Sequence, residues 1–190
     1  DYISMHTYPM HDTHYNPEFW AMPKTDTSLS KTENIDKAMQ RSIAYAQAQY
    51  ASVKTYMQLL GVNKPIHIGE TGWASQDNHL YGEAGSKATD EYKHGIYYRL
   101  MREWTNKEGI SCFYFEAFDE PWKDATNPKG SENYFGLFTV TGQAKYSVWS
   151  WVDKGVFENL TRDGNPILKT HNGEVNKLLY ISPLPPIKTK

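Results

Sequence analysis

Two segments carry side chains able to do chemistry, His67-Ile68-Gly69-Glu70-Thr71-Gly72-Trp73 and Phe115-Glu116-Ala117-Phe118-Asp119-Glu120-Pro121-Trp122-Lys123. Each sets a carboxylate at the end of a short apolar run, beside an aromatic residue. Carboxylates act as acid, base or nucleophile in acetal cleavage, and flat rings stack on pyranose faces. A strand that delivers a carboxylate to a mouth lined with indole and phenyl rings therefore has the chemistry of a carbohydrate-cleaving cleft. The pattern alone leaves Glu70 open as a nucleophile or as a structural carboxylate accepting hydrogen bonds from loop amides. It likewise leaves Trp73, Trp122 and Phe135 open as stacking platforms or as rim packing. The cluster Glu116, Asp119, Glu120 and Lys123 reads as a polar network serving the site or as a structural ion-pair network.

The elements that must position these groups follow from periodicity. Tyr2 to Met5 alternates weakly and runs to Tyr8-Pro9, where proline ends strand pairing, and a polar, proline-bearing loop is expected to about Ser30. Ser30-Lys31-Thr32-Glu33 fits a capping box. Ile35, Met39, Ile43, Ala46, Tyr50, Val53, Met57 and Leu60 then recur at helical spacing up to Gly61. Lys64 to Glu70 is too short for a helix and reads as a buried parallel strand. Tyr92, Ile96, Leu100 and Trp104 mark a second helix ending near Gly109, and Ile110 to Phe115 a third strand. Strand, helix, strand, helix, strand implies parallel βαβ units. Beyond Trp122 a long loop is expected, then a short helix over Ala144 to Lys154. Asp163-Gly164 and Asn172-Gly173 are hairpin-type turn signals, and Pro183 to Lys190 reads as an extended tail or linker.

Composition narrows the partners. With 20 basic and 22 acidic residues and a net charge of −2, the chain offers no electrostatic case for nucleic acid or an anionic membrane. No run approaches the roughly 20 apolar residues of a membrane span. The single Cys112 cannot form an intrachain disulfide and assigns no compartment; set in an apolar run, it reads as an inert buried thiol. His6, His11 and His14 are close in sequence but lack the paired spacing of a zinc site, so no metal is expected.

The two segments resemble the seventh- and eighth-strand motifs of glycoside hydrolase family 17, the retaining β-1,3-glucanases and β-1,3-glucanosyltransferases built on a (β/α)8 barrel. Asp1 to Pro9 resembles that family's sixth strand, and Tyr134-Phe135-Gly136-Leu137-Phe138 the segment after the eighth. The resemblance implies an α/β fold class, the C-terminal part of a (β/α)8 TIM barrel covering about strands six to eight with their helices. The expected division is residues 1–160 as partial catalytic domain, 161–182 as an extension with hairpin turns, and 183–190 as a Pro/Lys tail. It further implies Glu70 as catalytic nucleophile, supported by Tyr8, Glu120, Lys123 and Glu132, with Trp73, Glu116, Asp119, Trp122 and Phe135 contacting substrate. Glu116 and Asp119 depart from the small and amide residues that many plant members carry there.

The resemblance implies a β-1,3-glucan substrate and no cofactor or metal. The family's general acid/base is a glutamate after an asparagine on the fourth strand, and the sequence has no Asn-Glu pair. The expectation is that the acid, with the N-terminal half of the barrel, lies outside this chain, which alone would be inactive. A secreted, periplasmic or cell-envelope location is expected for the full-length protein. A non-catalytic carbohydrate-binding relative, or another retaining barrel glycosidase of the same clan, are the competing readings.

Overall fold

The computed structural model describes residues 1–188. Three parallel strands, β1 (Ile3–Thr7), β2 (Ile66–Thr71) and β3 (Cys112–Tyr114), form one sheet in the order β1-β2-β3. Helix α2 (Lys31–Leu59) carries the chain from β1 to β2, and α3 (Glu91–Glu108) from β2 to β3. The strands alternate as a half-covered sheet must: Met5, Thr7, Ile66, Ile68 and Thr71 face the core, while Ser4, His6 and Phe113 remain exposed on the opposite face. That core side holds Ile35, Ala38, Met39, Ile43 and Ala46 of α2 and Tyr97 and Met101 of α3.

Helix α2 starts where the capping box predicts. The Ser30 side chain accepts from the Glu33 amide, and the Glu33 carboxylate accepts from the Ser30 amide at 2.9 Å. The expected apolar stripe is buried at its N-terminal end, but Leu60 is exposed because it lies past the last helical turn. Gly61 closes α2 and Gly109 closes α3, both in the left-handed conformation, with φ of +67° and +65°.

Four expectations differ from the structure. The segment read as a continuous loop after β1 begins with helix α1 (Pro9–Tyr15), which has Pro9 at its first position, where the missing amide costs nothing. Its seven residues are too few to show a period, yet Met10 and Thr13 are buried. Strand β3 is shorter than Ile110–Phe115, and the expected short helix over Ala144–Lys154 divides into a 3₁₀ turn (Tyr146–Val148) and α4 (Trp149–Asp153). Asp163-Gly164 does turn a hairpin, joining β4 (Thr161–Arg162) to β5 (Asn165–Pro166). Asn172-Gly173 does not: His171, Asn172 and Gly173 all have positive φ and lead into α5 (Val175–Ile181).

The segment read as a linker is also docked. Met22 donates its amide to the Pro186 carbonyl and accepts from the Lys188 amide, both at 2.8 Å, and the buried Lys93 ammonium donates to the Pro183 carbonyl at 2.7 Å. The last two residues of that expected tail lie outside the described residues. Because α2 forms the first connection between strands, Ser30→Ala should cost about 1 kcal/mol, read as a lower urea midpoint at unchanged slope. An unaltered midpoint would show that the cap contributes nothing.

Candidate active site

Tyr8, Glu70 and Glu116 lie at or just beyond the C-terminal ends of the three strands. A parallel ladder brings those ends to one rim, because all three strands run the same way. Tyr8 follows β1, Glu70 is the penultimate residue of β2, and Phe115 and Glu116 follow β3. The Tyr8 phenol lies beside the Glu70 carboxylate; burial, then the charge and hydrogen bonding of Glu70, raise it far above its ordinary pKa. Tyr8 is therefore a donor held protonated, and an ionised carboxylate is its natural acceptor. His6 Nδ1 lies 3.1 Å from Glu70 Oε2 on the other side.

From Tyr8 an aromatic path runs to the third strand. The Tyr8 ring meets Phe135 edge-on at 5.8 Å and stacks on His11 at 5.1 Å, and Phe135 meets Phe115 at 5.5 Å. Lys123 Nζ sits 3.8 Å above the Phe115 ring and bridges two carboxylates, Glu116 Oε2 at 2.9 Å and Glu120 Oε2 at 2.8 Å. Glu132 is exposed, and its charge acts on Tyr8, His11 and Tyr81, which places it at the same mouth. Tyr8, Glu70, Glu120, Lys123 and Glu132 thus converge on one rim.

The expected substrate contacts fare differently. Trp73 is fully buried, donates its indole N–H to the Ala88 carbonyl at 2.9 Å, and packs against Trp20 and Tyr97. Phe135 is 1% exposed. Neither ring has a free face for a sugar, so both expectations are corrected: these rings build the floor of the rim. Asp119 is also buried, paired with Lys145 Nζ at 2.6 Å and accepting from the Gly136 amide at 3.1 Å, which turns it away from solvent. Glu116 has one oxygen on Lys123 and the other buried without a hydrogen-bond partner, so it orients Lys123. Trp122, 63% exposed, is the expected platform that keeps an open face.

Sequence reasoning missed His6, Tyr81 and Lys145. His6 and Tyr8 are two apart, a spacing that places both on one side of a strand, and that was the available signal. Lys145 gave none, because its partners Ser75, Asp119 and Tyr134 are distant in sequence.

The sequence model of glycosyl hydrolases family 17 matches residues 20–149. This chain belongs to glycosyl hydrolases family 17. The family 17 chain is 35% identical over 101 residues to a glucan 1,3-beta-glucosidase of Arthroderma benhamiae, covering 50% of this chain and 31% of that protein. It is 36% identical over 133 residues to a Saccharomyces cerevisiae protein of the same description, covering 61% of this chain and 41% of that one. The crystal structure of an endo-laminarinase from Formosa Hel1_33_131 superposes on the whole chain with a TM-score of 0.97 at 63% identity, over 48% of its own length. The family 17 chain therefore spans less than half the length of each of these three proteins. Its parallel strands and covering helices are part of a TIM-barrel-type fold.

The carboxylates differ in titration. Burial, reinforced by Glu120 and opposed by Lys123, pushes Glu116 up from 4.5 to about 7, whereas the hydrogen bond from Lys123 holds Glu120 low. Between these pH values the folded protein binds a proton on Glu116 that the unfolded chain has released, so this residue's contribution to stability is present at acid pH and is lost as pH rises from about 4.5 to 7. Urea titrations should show Glu116→Gln lacking that part of the slope. Parallel stability profiles for the two proteins would contradict the assignment.

Proposed function

We propose that this chain is the C-terminal part of a retaining β-1,3-glucan hydrolase in which Glu70 is the catalytic nucleophile. The observation that carries the reading is Glu70 at a strand end with the Tyr8 phenol beside it and His6 Nδ1 3.1 Å from its Oε2. Such a setting suits a carboxylate that must be ionised and held in one rotamer to attack an anomeric carbon. Membership of family 17 and the laminarinase and glucosidase descriptions of the relatives support β-1,3-glucan as the substrate.

In this reading the strands correspond to the sixth, seventh and eighth of the barrel within residues 1–160, with 161–182 as an extension packed on the helices. Glu120, Lys123 and Glu132 form the polar wall of the cleft, and Trp122 supplies a stacking face. The general acid/base comes from the preceding part of the barrel. The exposed strand face bearing Tyr2, His67 and Phe113 supports that placement, since barrel closure would cover it. Hydrolysis and transfer to a second sugar share the same glycosyl-enzyme, and both fit this arrangement.

In the full-length protein, Glu70→Ala should keep the wild-type fold and lose more than about 10⁴-fold in kcat on laminarin, beyond what loss of a single acid/base contribution explains. NMR of early products should show retained anomeric configuration in the wild-type enzyme. A folded Glu70→Ala variant keeping about a hundredth of wild-type kcat, or an inverted first product, would overturn the proposal.

A further inference from the structure

We propose that His6 is a positioning residue that makes Glu70 a better leaving group in the second half of the reaction. This rests on the reading of Glu70 as nucleophile. Along β1 and β2 the Cα partners run Ile3 with Ile66, Ser4 with His67 and Met5 with Ile68, and then His6 with Glu70: β2 carries one additional residue, Gly69. That irregularity has two effects. It brings Glu70 level with His6, and it leaves a residue without a side chain against Ser4 Oγ.

A Cβ built on Gly69 would meet Ser4 Oγ at 2.2 Å and the His6 ring atoms Nε2 and Cδ2 at 3.4 and 3.5 Å. The bare backbone at Gly69 thus makes room for the Ser4 hydroxyl, with the His6 ring at ordinary contact distance beside it and Nδ1 3.1 Å from Glu70 Oε2. With its proton on Nδ1 the imidazole presents an N–H that rotation of the ring can aim at the carboxylate. The Tyr8 phenol, two residues on, lies beside the same carboxylate. Glu70 thereby has an imidazole and a phenol next to it.

The consequence is asymmetric between the two chemical steps. In the first, a Glu70 oxygen bonds to the anomeric carbon while the glycosidic C–O bond breaks; its electron pair leaves on the departing sugar oxygen, which takes a proton from a carboxylic acid of the complete barrel. Glu70 loses its charge as the ester forms, so donors to it weaken during this step. In the second, the conjugate carboxylate of that acid removes a proton from water, whose oxygen bonds to the anomeric carbon. The ester C–O bond breaks and its electron pair returns to Glu70. Here charge develops on the Glu70 carboxylate, and the His6 donor strengthens as it does. His6 accordingly accelerates release of the sugar from Glu70 more than its attachment.

The test uses the full-length enzyme with a 2,4-dinitrophenyl laminaribioside, whose phenol departs without acid assistance so that ester hydrolysis limits kcat. His6→Ala should lower kcat and KM together by about tenfold, leaving kcat/KM within about twofold. His6→Asn, which returns an N–H donor, should recover kcat to within about threefold of wild type. His6→Asn keeps a polar side chain of similar size, so it should melt with the wild type, and its kinetics then report on the donor rather than on the fold. Unchanged kinetics in His6→Ala, or a fall in kcat/KM with KM constant, would overturn the inference. If the wild-type enzyme retains configuration and shows a burst of phenol, that failure belongs to His6 alone. An inverting, burst-free wild type would overturn the nucleophile reading and this inference with it.

Discussion

The parallel register of β1 and β2 is the constraint on which the site depends. Strand ladders permit few choices: once Met5 faces Ile68 with both in the core, the residues further along must alternate, and their order decides what meets at the rim. The additional residue at Gly69 resets that order, so that Glu70 aligns with His6 and Thr71 with Thr7. Thr7 and Thr71 stay on the buried face, anchored by hydrogen bonds to Gln49 of α2 and Tyr97 of α3. Those anchors lock the strand ends to the helices, and the carboxylate inherits its position from them. Gly72 continues the same logic, because a Cβ there would lie 2.4 Å from the Phe115 carbonyl oxygen, and its absence lets the β2 and β3 ends close together.

Between Phe115 and Phe138 no α-helix carries the groups, and polar anchoring takes over. The segment after Phe115 pairs with residues 135–138 through the bonds Leu137 N–H to Glu116 O at 2.8 Å, Phe138 N–H to Ala117 O at 2.9 Å and Asp119 N–H to Phe138 O at 2.9 Å. Buried Lys145 joins this layer to the loop after β2 through Asp119 and Ser75. Removing one partner of such a buried pair leaves an uncompensated charge at a cost of about 3–5 kcal/mol. The neighbouring His94, also buried, is held neutral: burial, with the positive charge of Lys145 behind it, depresses it to about 3. Phe135 is thus fixed under Tyr8 by a network centred on the buried Asp119, Lys145 and His94.

The regular elements were legible because their signals are local. The Ser30-to-Glu33 box, the stripe from Ile35 to Ala46 and the glycines at 61 and 109 fix α2 and α3 without reference to anything distant. Glu70 and Tyr8 were legible for the same reason, as short motifs at the ends of apolar runs. Burial of Trp73 was not, since its orientation depends on Trp20 and Ala88, and nothing in Glu-Thr-Gly-Trp says which way the indole turns. Asp119 was misread for a similar cause, its partner Lys145 lying in a segment that showed no motif. The docked C-terminal segment escaped because its bonds to Met22 are made by main-chain groups, which leave no mark on composition.

The central claim is that the Glu70 carboxylate becomes bonded to sugar. Incubating the full-length enzyme with a 2-deoxy-2-fluoro-laminaribiosyl fluoride, whose glycosyl-enzyme turns over slowly, and mapping the peptides by mass spectrometry tests it most directly. The account predicts one fluorosugar on the peptide containing Glu70, localised to that residue by fragmentation. A label on Glu116, Glu120 or Glu132, or an inactivated enzyme with Glu70 unmodified, would contradict it.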